Sequence, residues 1–158
     1  MRTLGFRTHA LFAIAAAAGV VAALARPWYA PATSSPTSGD LDGPLYTLTD
    51  TVNRWIGDTA GTTGWDALGV WGTALAAFAA LTGAGAAACL VPALQGVARE
   101  ALRYGSLGCF AIAAWKLLDS PGPNASLEPR HGVFVAALAA AIAMVSASAV
   151  ASAPLRSR

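Results

Sequence analysis

Four long stretches rich in Ala, Leu, Val and Gly occupy most of this chain and leave too little polar sequence between them to cover a water-soluble surface. Charged residues make up only 11% of the chain, about half the share usual in a soluble domain. A chain of this kind buries its apolar length in lipid. Its few polar residues then mark ends, loops and any chemistry.

A hydrocarbon core of about 30 Å is crossed by roughly 20 helical residues. On that measure the sequence predicts an all-α integral membrane four-helix bundle, with spans at about 10–26, 66–91, 101–118 and 132–153 and an outer loop over 27–63. The second stretch, Ala67 to Val91, carries no charge and stops before Pro92, which cannot continue a helix without losing a hydrogen bond. The fourth is equally free of charge and runs out before Pro154. The third, Tyr104 to Leu118, is shorter and contains Lys116, so it must borrow residues from 99–103 or let the lysine reach the headgroups. The first also has the layout of a signal peptide, with Arg2 and Arg7 ahead of an apolar core and the small-residue triplet Ala23-Leu24-Ala25. Cleavage would leave three spans. An uncleaved anchor is expected, because Arg26-Pro27-Trp28-Tyr29 reads as an interfacial helix end.

Arginines fix the expected sidedness. Arg2, Arg7, Arg99, Arg103, Arg156 and Arg158 fall on one side of a four-span layout. The other side has Arg26, Arg54, Lys116 and Arg130 among seven acidic residues, from Asp40 to Glu128. Positively charged loops stay in the cytoplasm, so a plasma (inner) membrane protein with both termini cytoplasmic is expected. Trp28, Tyr29, Trp65 and Trp115 are then outer interfacial rings, and Tyr104 an inner one.

The outer loop divides in two. Residues 30–44, with Pro31, Pro36, Pro44 and Gly39, should be irregular. Beyond them Leu45, Leu48, Val52, Trp55 and Ile56 recur at helical spacing, which predicts a short amphipathic helix over the bundle or on the membrane surface. At the start of the second span, Thr63 and Asp66 have the spacing of a capping box.

Few constellations carry chemistry. Arg26, Asp66, Lys116 and Asp119 should lie together at the outer ends of the first three helices as a candidate charged cluster, although helix-end charges also reach water without any function. His9 and His131 fall at opposite membrane faces and cannot share a haem or metal. No zinc-type spacing occurs, so no cofactor or metal is expected, and His131 reads as a solvated loop residue. Cys89 and Cys109 sit at different depths with no CxxC pair, which favours buried small hydrophobes over a thiol redox pair. Asn124-Ala125-Ser126 matches a glycosylation sequon within a Pro-Gly turn. Small residues four apart, Gly83 with Ala87 and Ala76 with Ala80, permit close helix packing. The cytoplasmic arginines fall where anionic lipid headgroups lie, so nucleic acid need not be invoked.

A first span closing in Arg26-Pro27-Trp28-Tyr29, a polar outer loop, Gly64-Trp65-Asp66-Ala67-Leu68 opening the second span and a Pro-Gly turn before the fourth together resemble the small four-span membrane proteins of actinobacteria. The layout is also similar to that of the tryptophan-operon-associated membrane proteins, which share a span ending in Arg-Pro-Trp, although the outer loop here is longer. The resemblance implies a four-span fold and brings no catalytic residues. The expected role is structural or accessory to a membrane complex, without enzymatic activity, through contacts with the bilayer and with a membrane-protein partner or a second copy. The alternative is a small-molecule binder or transporter component using the outer charged cluster.

Overall fold

The computed structural model describes residues 2–31, 62–119, 127–129 and 131–153. Four long helices dominate it: α1 (Arg2–Leu24), α3 (Val70–Cys89), α4 (Gln95–Leu118) and α5 (His131–Ala151). A single-turn helix, α2 (Gly64–Leu68), precedes α3, and a 3-10 turn, Pro92–Leu94, links α3 to α4. Three short strands, β1 (Pro27–Pro31), β2 (Thr62–Thr63) and β3 (Leu127–Pro129), form one antiparallel sheet in the order β2-β1-β3. Each long helix packs on the two that flank it, α1 on α3, α3 on α4, α4 on α5 and α5 back on α1. The result is an antiparallel ring.

The sheet caps one end of that ring, which we call the sheet end. There α1 and α4 finish while α3 and α5 begin. The other, the termini end, holds the start of α1 and the finish of α5. It also holds the start of α4, whose Arg99 lies over the Phe6 ring of α1. The start of α1 and the finish of α5 therefore lie at the same end of the bundle.

Three helical segments, Gly5–Leu24, Val70–Cys89 and His131–Ala151, are long and apolar enough to cross a membrane. Helix α4 matches them with 24 residues but carries Arg99, Glu100 and Arg103 near its start and Lys116 in its last turn. The fold is thus that of an all-α, multi-pass membrane protein with at least these three membrane-capable helices. Hydroxyls within the helices suit such surroundings, because they bond back to their own backbone. Thr82 donates to the Phe78 carbonyl, Ser106 to Arg103, Ser148 to Met144 and Ser152 to Ser148, at 2.8 to 3.0 Å.

Packing inside the ring is close. One apolar cluster, built on Val20, Leu24, Trp28, Leu75, Ile112 and Val133, fills the sheet half. A smaller one, with Ala13, Ala86, Cys89, Leu102 and Val150, fills the termini half. Between α3 and α4 the backbones themselves meet. A Cβ on Gly85 would lie 2.6 Å from the Leu102 amide nitrogen, and one on Gly105 would lie 2.7 Å from that of Thr82. Only glycine permits that approach.

The structure departs from the sequence reading in four respects. Residues 66–91 do not form one continuous helix: Gly69, at φ 52°, turns the chain between α2 and α3. The helix after it ends at Cys89, ahead of Pro92. Residues 27–31 and 62–63, read as the two ends of the outer loop, are strands, because they pair with each other and β1 pairs with β3. His131 is buried rather than solvated, since β3 pairs with β1 immediately upstream and draws the first turn of α5 under the sheet. Trp28 and Tyr29 are covered by protein instead of lying in the interface, for reasons given below. The amphipathic helix expected after Leu45 and the Asn124 sequon lie outside the described residues.

Candidate functional site

The sheet end gathers the residues that the sequence marked, and its architecture starts at the finish of α1. Pro27 cannot continue the helix ladder, and the chain leaves as β1 between β2 and β3, which lead into α2–α3 and α5 respectively. Those helices flank α1 on either side, so β1 runs across the bundle end from α1 toward α4. Trp28 drops from this strand into the centre of the ring. It is 0% exposed, and its Nε1–H donates at 2.8 Å to the Ala23 carbonyl, which also accepts from the Arg26 amide, so the buried donor is satisfied at the end of α1.

Two glycines make room for the ring. A Cβ at Gly64 would lie 2.5 Å from Trp28 Nε1, and one at Gly132 would lie 2.6 Å from Trp28 Cδ1 and equally close to the Pro27 carbonyl oxygen. The first residue of α2 and the second of α5 therefore clamp the indole from two sides. Gly64 also donates its amide to the Arg26 carbonyl at 3.2 Å. One residue further along β1, the Tyr29 hydroxyl donates to the Lys116 carbonyl at 3.0 Å and ties the strand to the last turn of α4. Burial pushes the Tyr29 phenol above its ordinary range, and the negative charge of Asp119 adds to the effect.

The four charged residues all belong to this end, but they do not converge. Lys116 and Asp119 form an ion pair at 3.7 Å, and the lysine ammonium also lies 5.1 Å from the Trp115 ring centroid. Asp66 is held by Thr63, whose hydroxyl accepts from the Asp66 amide at 3.3 Å and donates to its carboxylate at 2.7 Å. The expected capping pair thus forms, with the return bond made to the Thr63 hydroxyl. Arg26 is exposed, and among the described residues its side chain pairs with neither Asp66 nor Asp119.

Outside the cap, Trp71 and Trp115 meet edge to face at 5.0 Å and, with Trp65, present partly exposed aromatic surface at the sheet end, as interfacial rings do. Cys89 and Cys109 are free thiols in the two separate apolar clusters. Among the described residues no three His, Cys, Asp or Glu side chains come together as a metal site would require. What sequence reasoning missed is the cap itself. Its signals were Pro27 directly after a helix end and glycines opening both α2 and α5.

These features define a class, a multi-pass helical membrane protein whose bundle is stoppered at one end by a tryptophan-bearing sheet. No protein-family model, curated protein or solved structure matches the chain.

Proposed function

We propose that this protein is a four-span component of the plasma membrane, with both termini cytoplasmic, that serves a membrane complex as a structural or accessory subunit and has no catalytic activity of its own. The observation that carries this reading is the way the sheet end is closed. Trp28 fills the centre, and the polar groups around it are engaged in holding the fold: Asp66 on Thr63, Lys116 on Asp119, Tyr29 on the end of α4. Large apolar side chains such as Leu11, Phe12, Leu138 and Val145 project outward from the bundle, where lipid or another helix would cover them. Helix α4 counts as the fourth span on this reading. Its length suffices, its arginines lie within its first turns, and Lys116 reaches the headgroups from its last. Helix α1 contributes Ala13, Val20 and Leu24 to the shared core, which supports a retained anchor over a removed leader.

Affinity purification of the C-terminally tagged protein from its native membrane in mild detergent, with quantitative mass spectrometry, tests the proposal. A stoichiometric membrane-protein partner or a defined homo-oligomer is expected; a lone monomer would count against it. The alternative, a small-molecule site around Arg26, Asp66, Lys116 and Asp119, is favoured by the exposed charge of Arg26 at that end. It requires that Asp66→Asn or Arg26→Gln abolish ligand binding or transport while abundance and membrane insertion stay unchanged.

A further inference from the structure

The termini end contains a charge that the fold does not account for. Arg99 lies on the first turns of α4 with its guanidinium 6.0 Å from the centre of the Phe6 ring. Its Nε is buried, and among the described residues it has no hydrogen-bond acceptor and the guanidinium pairs with no carboxylate, the neighbouring Glu100 included. A cation whose Nε lies buried without an acceptor carries a desolvation cost, which an anion beside the rest of the guanidinium would offset. We propose that Arg99 binds the phosphate of an anionic lipid headgroup at this end of the bundle.

Three observations point to a lipid as the source of the phosphate. The connection into α4 exposes apolar side chains beside the site, Leu90, Val91, Leu94 and Val97, the last of them 80% exposed. Acyl chains can lie against these residues, and water gains nothing from them. Helix α4 starts here with no side-chain cap at Leu94, so its positive dipole end lies at this end of the bundle. Arg103, one turn further along α4 and exposed, supplies a second, wetter cation. The planar fork of Arg99, lying over the Phe6 ring, suits a phosphodiester better than an ammonium does.

The inference rests on the chain lying in a bilayer but not on the accessory role. Its test is native mass spectrometry of detergent-purified protein, with phosphatidylglycerol competing against phosphatidylcholine of matched chains. Wild type should retain the anionic lipid selectively. Arg99→Gln should lower that preference by about tenfold, Arg103→Gln by less, and Arg99→Lys should keep part of it. Equal retention of both lipids by wild type, or an undiminished preference in a folded Arg99→Gln protein, would overturn the assignment. If Arg99→Gln does not fold, the wild-type competition and Arg99→Lys decide. Displacement of the lipid by inorganic phosphate would overturn the lipid assignment in favour of a free-phosphate site. Carbonate extraction of the same membranes separates the two failures: a carbonate-resistant protein without lipid preference sinks the site alone, and an extractable one removes the membrane reading beneath it.

Discussion

A methyl group at Gly64 would fall 2.5 Å from the Trp28 indole nitrogen and 2.9 Å from the Leu24 Cα, with the ring already wedged against Gly132. Gly64→Ala should therefore lower the thermal stability of the purified protein by about 1–3 kcal/mol, the usual cost of overpacking. Gly5→Ala, which would meet nothing within 4 Å, should leave the melt unchanged or raise it slightly. Truncating Trp28 to Ala should cost about 3–5 kcal/mol. The neighbouring Tyr29 gives the cap a pH dependence. Its pKa is raised in the folded protein, so the neutral phenol is the form the fold favours. That contribution is complete below the unfolded value of about 10 and is lost as pH rises through the folded value. Alkaline melting should accordingly fall more steeply for wild type than for Tyr29→Phe, and a difference absorbance titration between the two proteins should place this phenol's ionisation above the normal range. The sequence made these side chains conspicuous as Arg-Pro-Trp-Tyr, yet it could not place them. An aromatic pair after a helix end looks the same whether lipid or protein covers it, and the covering here comes from segments about 35 and 100 residues away along the chain.

Helix number and direction were legible because long uncharged runs leave a chain few alternatives. Which small residues make the closest contacts was less so. Gly83 and Ala87 invited a close-packing assignment, but Gly83 makes only an ordinary contact, its Cβ position 3.5 Å from Ala17. The tightest helix crossing uses Gly85, which meets only backbone, and Gly105, which meets the Thr82 hydroxyl and backbone, with Gly108 lying under the Phe78 ring. One Ala-rich helix face resembles another in sequence, and the choice between them is set by the rotation each helix adopts in the ring. Replacing Gly105 by Leu should force α3 and α4 apart and reduce the yield of folded protein sharply, whereas Gly96→Leu, in open space, should not. Fluorescence-detected size exclusion of the two variants would show it.

At the scale of the whole molecule, the antiparallel ring brings the start of α1 and the finish of α5 to one end. Four crossings put both termini in one compartment; three, with α4 lying flat, would put them in opposite ones. Reporter fusions at the two termini should agree, both cytoplasmic, and disagreement would remove α4 from the count of spans. The sheet has a different consequence, one of timing. Its central strand is made early, just after the first helix, but the strand that completes it precedes the last. During stepwise synthesis one side of Trp28 therefore waits for its cover while some hundred residues follow it. The cap cannot close until β3 and the start of α5 have been made, so the last face of that one indole is covered only when the chain is nearly complete.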